Sequence, residues 1–200
     1  MNKRDFLRAG TVGAAASLGA AARVAHAQNA PKTAAGPVLL TVGGLIGRGN
    51  RGPTDSALDQ MMVKQKISFA RAQAFDFAAL AALPASTIRP TLEYDAKRHS
   101  LRGPLLADVI EASGAKPDDK TALLVRAVDG YAVLIALSEA IKRRFIVATH
   151  LDERPMTLGG LGPLWTIYDA DGFPDMASKP LPERFGLCPW ATYYIEVREG

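Results

Sequence analysis

The sequence has very few of the residues that build disulfides and metal clusters. It contains one cysteine, Cys188, and three histidines among 200 residues. A single thiol excludes an intramolecular disulfide and a zinc cluster built on several thiolates. His99 and His150, the two histidines after residue 27, form no His-x-x-x-His pair, and no Gly-x-Ser-x-Gly elbow is present. The sequence therefore predicts no metal ligand, and no motif identifies a catalytic residue.

An excess of one charge and a long apolar run are also missing. The formal charge of +4 comes mostly from the first 27 residues, and 20 basic and 19 acidic residues remain after them. A near-neutral balance provides no electrostatic footprint for nucleic acid. Spanning a bilayer takes about 20 apolar residues. We therefore expect no nucleic-acid partner, and no transmembrane segment after residue 27.

The first 27 residues have the pattern of an export signal. Lys3-Arg4-Asp5-Phe6-Leu7-Arg8 is a twin-arginine-like start, residues 9–22 are rich in Ala and Gly, and Ala25-His26-Ala27 is a small-x-small cleavage site. The low hydrophobicity favours the twin-arginine route over an ordinary Sec signal, and the run is too short for a membrane anchor. We predict a cleaved signal over 1–27 and a periplasmic protein, with a disordered tail at 28–36 and a single domain at 37–200.

Hydrophobic patterning after residue 36 predicts an α+β fold, a mixed β-sheet with a few short helices. Strands are expected at 37–42, 67–69, 87–94, 121–128, 131–137, 145–151, 164–168 and 192–198. Asp129-Gly130 is a hairpin turn signal between two of them. Helices are expected at 77–83 after the N-cap Asp76, from Pro104 to the stop at Gly114, and at 139–143 after a cap at Ser138.

Two short motifs have the letters of ligand loops without the rest of the pattern. Gly47-Arg48-Gly49-Asn50-Arg51-Gly52 matches Gly-x-Gly-x-x-Gly, but no apolar helical stripe follows it, so an exposed loop is predicted. Asp169, Asp171 and Asp175 lie around Gly172 without the third ligand and the bidentate Glu of a calcium loop. We interpret this segment as a solvated loop.

Several segments, taken in order, resemble a known family. They are Thr87-Ile88-Arg89-Pro90-Thr91, residues 101–115, residues 129–137, residues 146–155 and residues 162–168. Over roughly residues 75–198 the chain resembles the oxidoreductase molybdopterin-binding domain of the sulfite-oxidase type. The resemblance implies a mixed α+β domain that holds molybdenum on a pterin dithiolene, with one thiolate from a motif similar to Thr-Leu-x-Cys-x-Gly-Asn-Arg.

The resemblance also implies a set of binding residues. Arg89, His99 and Arg102 would be donors to a pterin or another anion near Thr91, and Trp165 would be a stacking wall. The competing interpretation is that these are solvated arginines beside a core tryptophan.

The expected cysteine position is occupied by Pro90, which cannot bind a metal, and Cys188 lies near the other end of the chain. Two functions follow. One is a periplasmic molybdopterin-dependent oxidoreductase-like protein that keeps the molybdenum cofactor without the usual Cys ligand. The other is a non-catalytic periplasmic module of the same fold, which binds a ligand or interacts with a membrane or periplasmic protein partner.

Overall fold

The structure is a computed structural model and describes residues 34–200. The predicted export signal at 1–27 and residues 28–33 of the predicted tail lie outside the described residues. The end of that tail makes defined contacts, because the backbone N–H groups of Ala35 and Gly36 donate to Asp76 Oδ2 at 2.8 and 2.9 Å. These contacts begin two residues before the predicted domain boundary at residue 37.

Strands dominate the described chain. Eleven strands lie within residues 34–200: β1 (Val38–Gly44), β2 (Gln73–Asp76), β3 (Ala85–Ile88), β4 (Leu101–Pro104), β5 (Thr121–Ala127), β6 (Ala132–Ala136), β7 (Ile146–Ala148), β8 (His150–Leu151), β9 (Arg154–Pro155), β10 (Trp165–Ile167) and β11 (Thr192–Glu199). Five short α-helices accompany them: α1 (Gln60–Lys64), α2 (Phe77–Ala81), α3 (Leu106–Ala112), α4 (Leu137–Lys142) and α5 (Pro174–Ala177). No helix within residues 34–200 is long and apolar enough to cross a bilayer.

The central sheet has five strands in the order β2-β1-β11-β5-β6. β1 and β11 run parallel, with Thr41 opposite Tyr194, whereas the other three pairings are antiparallel. A four-stranded sheet, β3-β4-β8-β9, and a two-stranded pair, β7-β10, complete the fold. The predicted mixed-sheet α+β class is therefore confirmed.

One large hydrophobic core joins these layers. Leu123 and Ile195 from the central sheet, Leu101 from β4 and Ile146 from β7 are each at most 1% exposed and belong to the same cluster. Burial of such side chains stabilises a fold by about 1.5–3 kcal/mol each. The core holds the strands in place, and the loops between them form the surface cavities described below.

Several predicted elements are confirmed because their local chemistry decides them. Asp76 caps α2, since its Oδ1 accepts from Ala79 N at 2.7 Å. Gly114 ends the turn after α3 with φ +79°, a conformation that suits glycine. The β5–β6 hairpin turns at Asp129-Gly130, as predicted.

Other elements differ from the prediction. Residues 67–69 form no strand. Ile67 is buried because it packs in a small hydrophobic cluster with Tyr194, and not because it belongs to a β-sheet. β3 ends at Ile88 instead of continuing to residue 94, since Pro90 has no N–H for the ladder. α4 begins at Leu137 with Ala136 as its N-cap, so Ser138 is not the cap.

Candidate functional site

The loop between β3 and β4, residues 89–100, contributes to two surface cavities. Its first residue, Arg89, lines one cavity, and its middle residues, Glu93 and Tyr94, line the other. Thr91 lies between them and anchors the loop, because Asp171 Oδ2 accepts from its backbone N–H at 2.8 Å and from its Oγ1 at 2.7 Å. The loop is therefore fixed in relation to both cavities.

The first of these, the basic cavity, has a volume of about 570 Å³. Its charged lining residues are Arg89, Arg143, Arg144 and Asp169, and Ile88 and Phe173 supply apolar walls. Arg89 and Arg144 are exposed, whereas the side chain of Arg143 is only 12% exposed. The cavity thus combines two exposed surface cations with one largely buried guanidinium.

Two aromatic rings and two carboxylates hold the side chain of Arg143. Its guanidinium carbon lies 5.4 Å from the ring centre of Tyr168 and 5.2 Å from that of Phe173. Nε donates to Glu139, and Nη2 donates to Asp175 at 2.7 Å. The Asp175 bond and then the Glu139 carboxylate raise the pKa of Arg143. Its buried Nη1 has no hydrogen-bond partner among residues 34–200.

Asp169 supplies the complementary group of the same cavity. Its Oδ2 accepts from the backbone N–H of Arg89 at 3.3 Å, whereas its buried Oδ1 has no partner in the described part of the chain. Arg143 therefore has one buried donor, and Asp169 one buried acceptor, without a hydrogen-bond partner among residues 34–200. Buried polar atoms without a partner are rare in folded proteins, and these two belong to residues that line the same cavity.

The second cavity, the aromatic cavity, has a volume of about 300 Å³. Its aromatic side chains are Tyr94, Tyr131, Phe185 and Trp190, and its carboxylates are Glu93 and Asp129. Tyr94, Tyr131 and Trp190 are 56%, 49% and 36% exposed, which is unusual for such large side chains. Cys188, which is 4% exposed, also lines it.

Defined contacts hold the aromatic rings of this cavity. Tyr131 Oη donates to the carbonyl of Gly186 at 2.7 Å, and the Asp129 carboxylate accepts from the backbone N–H of Tyr131 at 2.8 Å. Burial, followed by the neighbouring Glu93 carboxylate, raises the pKa of Tyr94 to about 12. Tyr94 therefore stays protonated at neutral pH, and the cavity carries negative charge only on its two carboxylates.

The structure does not bring the five residues implied by the family resemblance into one site. Of the five, only Arg89 lines the basic cavity. Arg102 is exposed on β4, opposite Thr87 and His150. Trp165 is 1% exposed, and its indole N–H donates to the carbonyl of Cys188 at 2.9 Å, so it has no free face on which a ligand could stack.

His99 and Thr91 are engaged in contacts that hold the β3–β4 loop. His99 Nδ1 lies 2.7 Å from Asp152 Oδ2, and its Nε2 lies 3.0 Å from Asp95 Oδ2. The Asp152 bond and then the Asp95 bond raise the pKa of His99. Thr91 is bound to Asp171, whose Oδ1 also accepts from Arg184 at 2.9 Å. Both residues thus have acidic partners within the described chain, and neither lines the basic or the aromatic cavity.

The described residues do not fit a molybdenum centre with a cysteine ligand. Burial raises the pKa of the Cys188 thiol well above its ordinary value, which disfavours the thiolate that a metal needs. Residues 34–200 contain no group of three or more His, Cys, Asp or Glu side chains arranged to hold a metal ion.

The Thr-Leu-x-Cys motif also fits the chain in a second register. Thr91-Leu92-Glu93-Tyr94 matches its first two letters, so a tyrosine stands at the cysteine position there. Tyr94 lines the aromatic cavity, whereas Pro90 is buried. In neither register does the chain offer a thiolate.

The comparisons with known proteins show a shared fold. No protein-family model matches the chain, and no curated protein matches it by sequence. Among solved structures, the sulfane dehydrogenase SoxCD from Paracoccus pantotrophus matches with a TM-score of 0.53 and 10% sequence identity over 80% of this chain. The chain spans 38% of the length of that structure's chain. The likeness shows a shared fold and agrees with the mixed α+β class predicted from the sequence.

The residues of the aromatic cavity were missed at the level of sequence. Three loop segments each place an aromatic side chain beside an acidic residue or a proline: Glu93-Tyr94, Asp129-Gly130-Tyr131 and Pro189-Trp190. Tyr94 and Tyr131 fall at the ends of strands predicted at 87–94 and 131–137, so no sequence signal indicated that these two rings lie in loops. The sequence alone does not show that these loops meet, because they are far apart along the chain.

Proposed function

We propose that this chain is a periplasmic ligand-binding module, built on the α+β fold that it shares with SoxCD, and that it lacks the molybdenum chemistry of the family it resembles. The observation that carries this proposal is that no cysteine stands where the Thr-Leu-x-Cys motif has one. Pro90 and Tyr94 offer no thiolate, and Cys188 is 4% exposed with a raised thiol pKa. The fold is retained, and the group that would ligate the metal is not.

The two cavities support binding as the remaining role. Each has charged side chains that no ion pair engages among residues 34–200: Arg89 and Arg144 in the basic cavity, and Glu93 and Asp129 in the aromatic cavity. Binding sites are concave and carry a few such groups to orient a ligand. A ligand-binding module uses these features without an acid/base pair or a metal.

The basic cavity supports a second candidate, in which the protein still holds a pterin or another anion. Arg89 and Arg144 supply cationic donors at its rim. Asp169 adds a carboxylate to the same lining, which suits an N–H group of the ring. In this candidate Arg89, Arg143, Arg144 and Asp169 hold the pterin, which would supply the redox chemistry when it carries a metal.

Metal and pterin analysis of the exported protein separates the two candidates. The full chain, with its leader, is produced in a bacterium that makes the molybdenum cofactor and has a twin-arginine pathway, and the protein is purified from the periplasm. We expect neither molybdenum nor pterin, while a host molybdenum enzyme from the same cells carries its metal. Molybdenum near one atom per chain would overturn the proposal, and pterin without molybdenum would favour the second candidate.

The periplasmic location is tested on the same precursor. Lys3 and Arg4 are replaced together by Gln, which removes the charged pair of the twin-arginine-like motif. We expect the variant to accumulate as uncleaved precursor in the cytoplasmic fraction, whereas the unaltered chain is found in the periplasm. Unchanged export of the variant would contradict the twin-arginine assignment.

A further inference from the structure

The side chains that line the aromatic cavity favour a positively charged ligand. Glu93 and Asp129 are its charged residues, and no Lys, Arg or His side chain lines it. Neither carboxylate lies within salt-bridge distance of a cationic side chain in the described part of the chain. Two such carboxylates on one small cavity attract a cation and disfavour an anion.

The aromatic rings of this cavity provide a second, independent reason to expect a cationic ligand. Tyr94, Tyr131 and Trp190 remain substantially exposed, and Phe185 lies among them at 6% exposure. The faces of aromatic rings carry partial negative charge and attract cations within about 6 Å of the ring centre. Quaternary ammonium groups benefit most, because they are weakly hydrated and bring apolar methyl groups to the rings.

The fixed geometry of the cavity favours an organic cation over a metal ion. The Tyr131 hydroxyl is held by the Gly186 carbonyl, and the Asp129 carboxylate is held by the Tyr131 N–H, so both are positioned before a ligand arrives. Calcium takes six to eight oxygen ligands, whereas this cavity supplies two carboxylates among rings. A volume of about 300 Å³ accommodates a small head group.

From these observations we propose that the aromatic cavity binds a small quaternary ammonium compound, with Tyr94, Tyr131 and Trp190 as an aromatic cage and Glu93 and Asp129 as the counter-charges. This inference rests on the proposed function, since it names the ligand class of the binding module. The basic cavity, which presents arginines, takes no part in it.

The test uses choline as the probe, with two matched compounds. 3,3-Dimethyl-1-butanol has the shape of choline without its charge, and ethanolamine has the charge without the methyl groups. Binding to the mature protein is measured by calorimetry and by the fluorescence of Trp190, the more exposed of the two tryptophans, with sodium chloride titrated in parallel. We expect saturable binding of choline, with each matched compound weaker by about tenfold or more.

Variants assign the binding to this cavity. Glu93→Gln and Asp129→Asn remove a charge each, and we expect each to weaken choline binding by about threefold to tenfold. Trp190→Leu removes a cage ring, so we expect it to weaken choline binding and to abolish the fluorescence response. Arg144→Gln, in the basic cavity, leaves choline binding unchanged. Circular dichroism of every variant confirms folding, and the conservative Glu93→Gln keeps the test decisive if Trp190→Leu does not fold.

Several results would overturn the inference. Equal binding of 3,3-dimethyl-1-butanol would show an uncharged apolar site, and equal binding of ethanolamine would show an ion pair without a cage. Absence of choline binding, or binding that Glu93→Gln and Asp129→Asn leave intact, would also overturn it. The molybdenum content of the same preparation is measured first. A metal-free protein that binds no choline contradicts this inference alone, whereas a molybdenum-loaded protein contradicts the proposed function.

Discussion

The two cavities are both touched by the β3–β4 loop, yet they use charge in opposite ways. In the basic cavity, Arg143 is neutralised by Glu139 and Asp175 and held between two rings. In the aromatic cavity, Glu93 and Asp129 have no cationic partner within residues 34–200, and three rings remain exposed. Internal partners make a charged group part of the scaffold, whereas their absence leaves it available to a ligand. Removing Arg143 should therefore harm the fold, and removing Trp190 should harm binding.

The largest expected effect concerns the boundary between the aromatic cavity and the core. Cys188 lines that cavity but is 4% exposed, and burial raises its thiol pKa. We expect iodoacetamide at neutral pH to alkylate the native protein at least about a thousandfold more slowly than the urea-unfolded chain, because reaction requires opening. Mass spectrometry of timed samples measures both rates. Comparable rates would show that the cavity opens into the core.

The next prediction tests whether Arg143 belongs to the scaffold. Arg143→Met keeps much of the apolar volume but removes the guanidinium. Asp175 then loses its ion-pair partner, Glu139 keeps only the longer contact with Lys142, and Tyr168 and Phe173 lose the cation between them. We expect a loss of about 2–3 kcal/mol in the free energy of unfolding, measured by urea denaturation. Arg144→Gln, next to it and exposed, serves as the control and should stay within about 0.5 kcal/mol. Similar losses for both variants would show that the partners of Arg143 do not make it part of the scaffold.

A smaller effect is expected at the anchor of the shared loop. Thr91→Val removes the Oγ1 bond to Asp171 while keeping the backbone bond, so we expect a loss of about 1 kcal/mol. Thr87→Val, on the exposed face of β3, makes the same chemical change without breaking a side-chain hydrogen bond described in the structure. The two variants are compared by chemical denaturation. If Thr87→Val destabilised the protein as much, the anchor would not be the cause.

The smallest effect depends on pH. The folded-state pKa of His99 is raised by Asp152 and then by Asp95, so the protonated form is favoured by folding. Its stabilisation is fully present below the unfolded value of about 6.5 and is lost as the pH rises through the higher folded value. Replacing His99 by Gln should therefore cost more at pH 5.5 than at pH 9, by less than about 1 kcal/mol for this partly exposed residue. Thermal midpoints at the two pH values measure the difference, and a larger cost at pH 9 would contradict the assignment.

Local chemistry made much of the fold predictable from the sequence. Asp76 before an apolar run, Gly114 after one, and Asp129-Gly130 between two strands each act over a few residues, and each has its predicted structural role. The strand expected at 67–69 failed for the opposite reason. Ile67 is buried by a distant partner, Tyr194, and packing of that kind leaves an apolar residue in a loop that resembles a short strand.

The candidate site was less predictable, because it depends on which loops meet. Arg89 was named in advance and does line a cavity, but its partners Arg143 and Asp169 come from segments 54 and 80 residues further along the chain. His99 and Trp165 are residue types that often bind ligands. In this structure His99 is paired with two aspartates, and Trp165 is buried in the core. Residue type indicates what a side chain can do, and only tertiary contacts decide whether it is free to do it.

The position of β11 in the central sheet has a consequence for biogenesis. Residues 192–199 lie between β1 and β5, so they supply the strand that joins the two halves of the sheet. While the ribosome is still synthesising them, β1 and β5 both present open edges, and open edges invite pairing with other chains. The sheet can close only after this segment has emerged, so the facing edges of β1 and β5 stay unpaired until then.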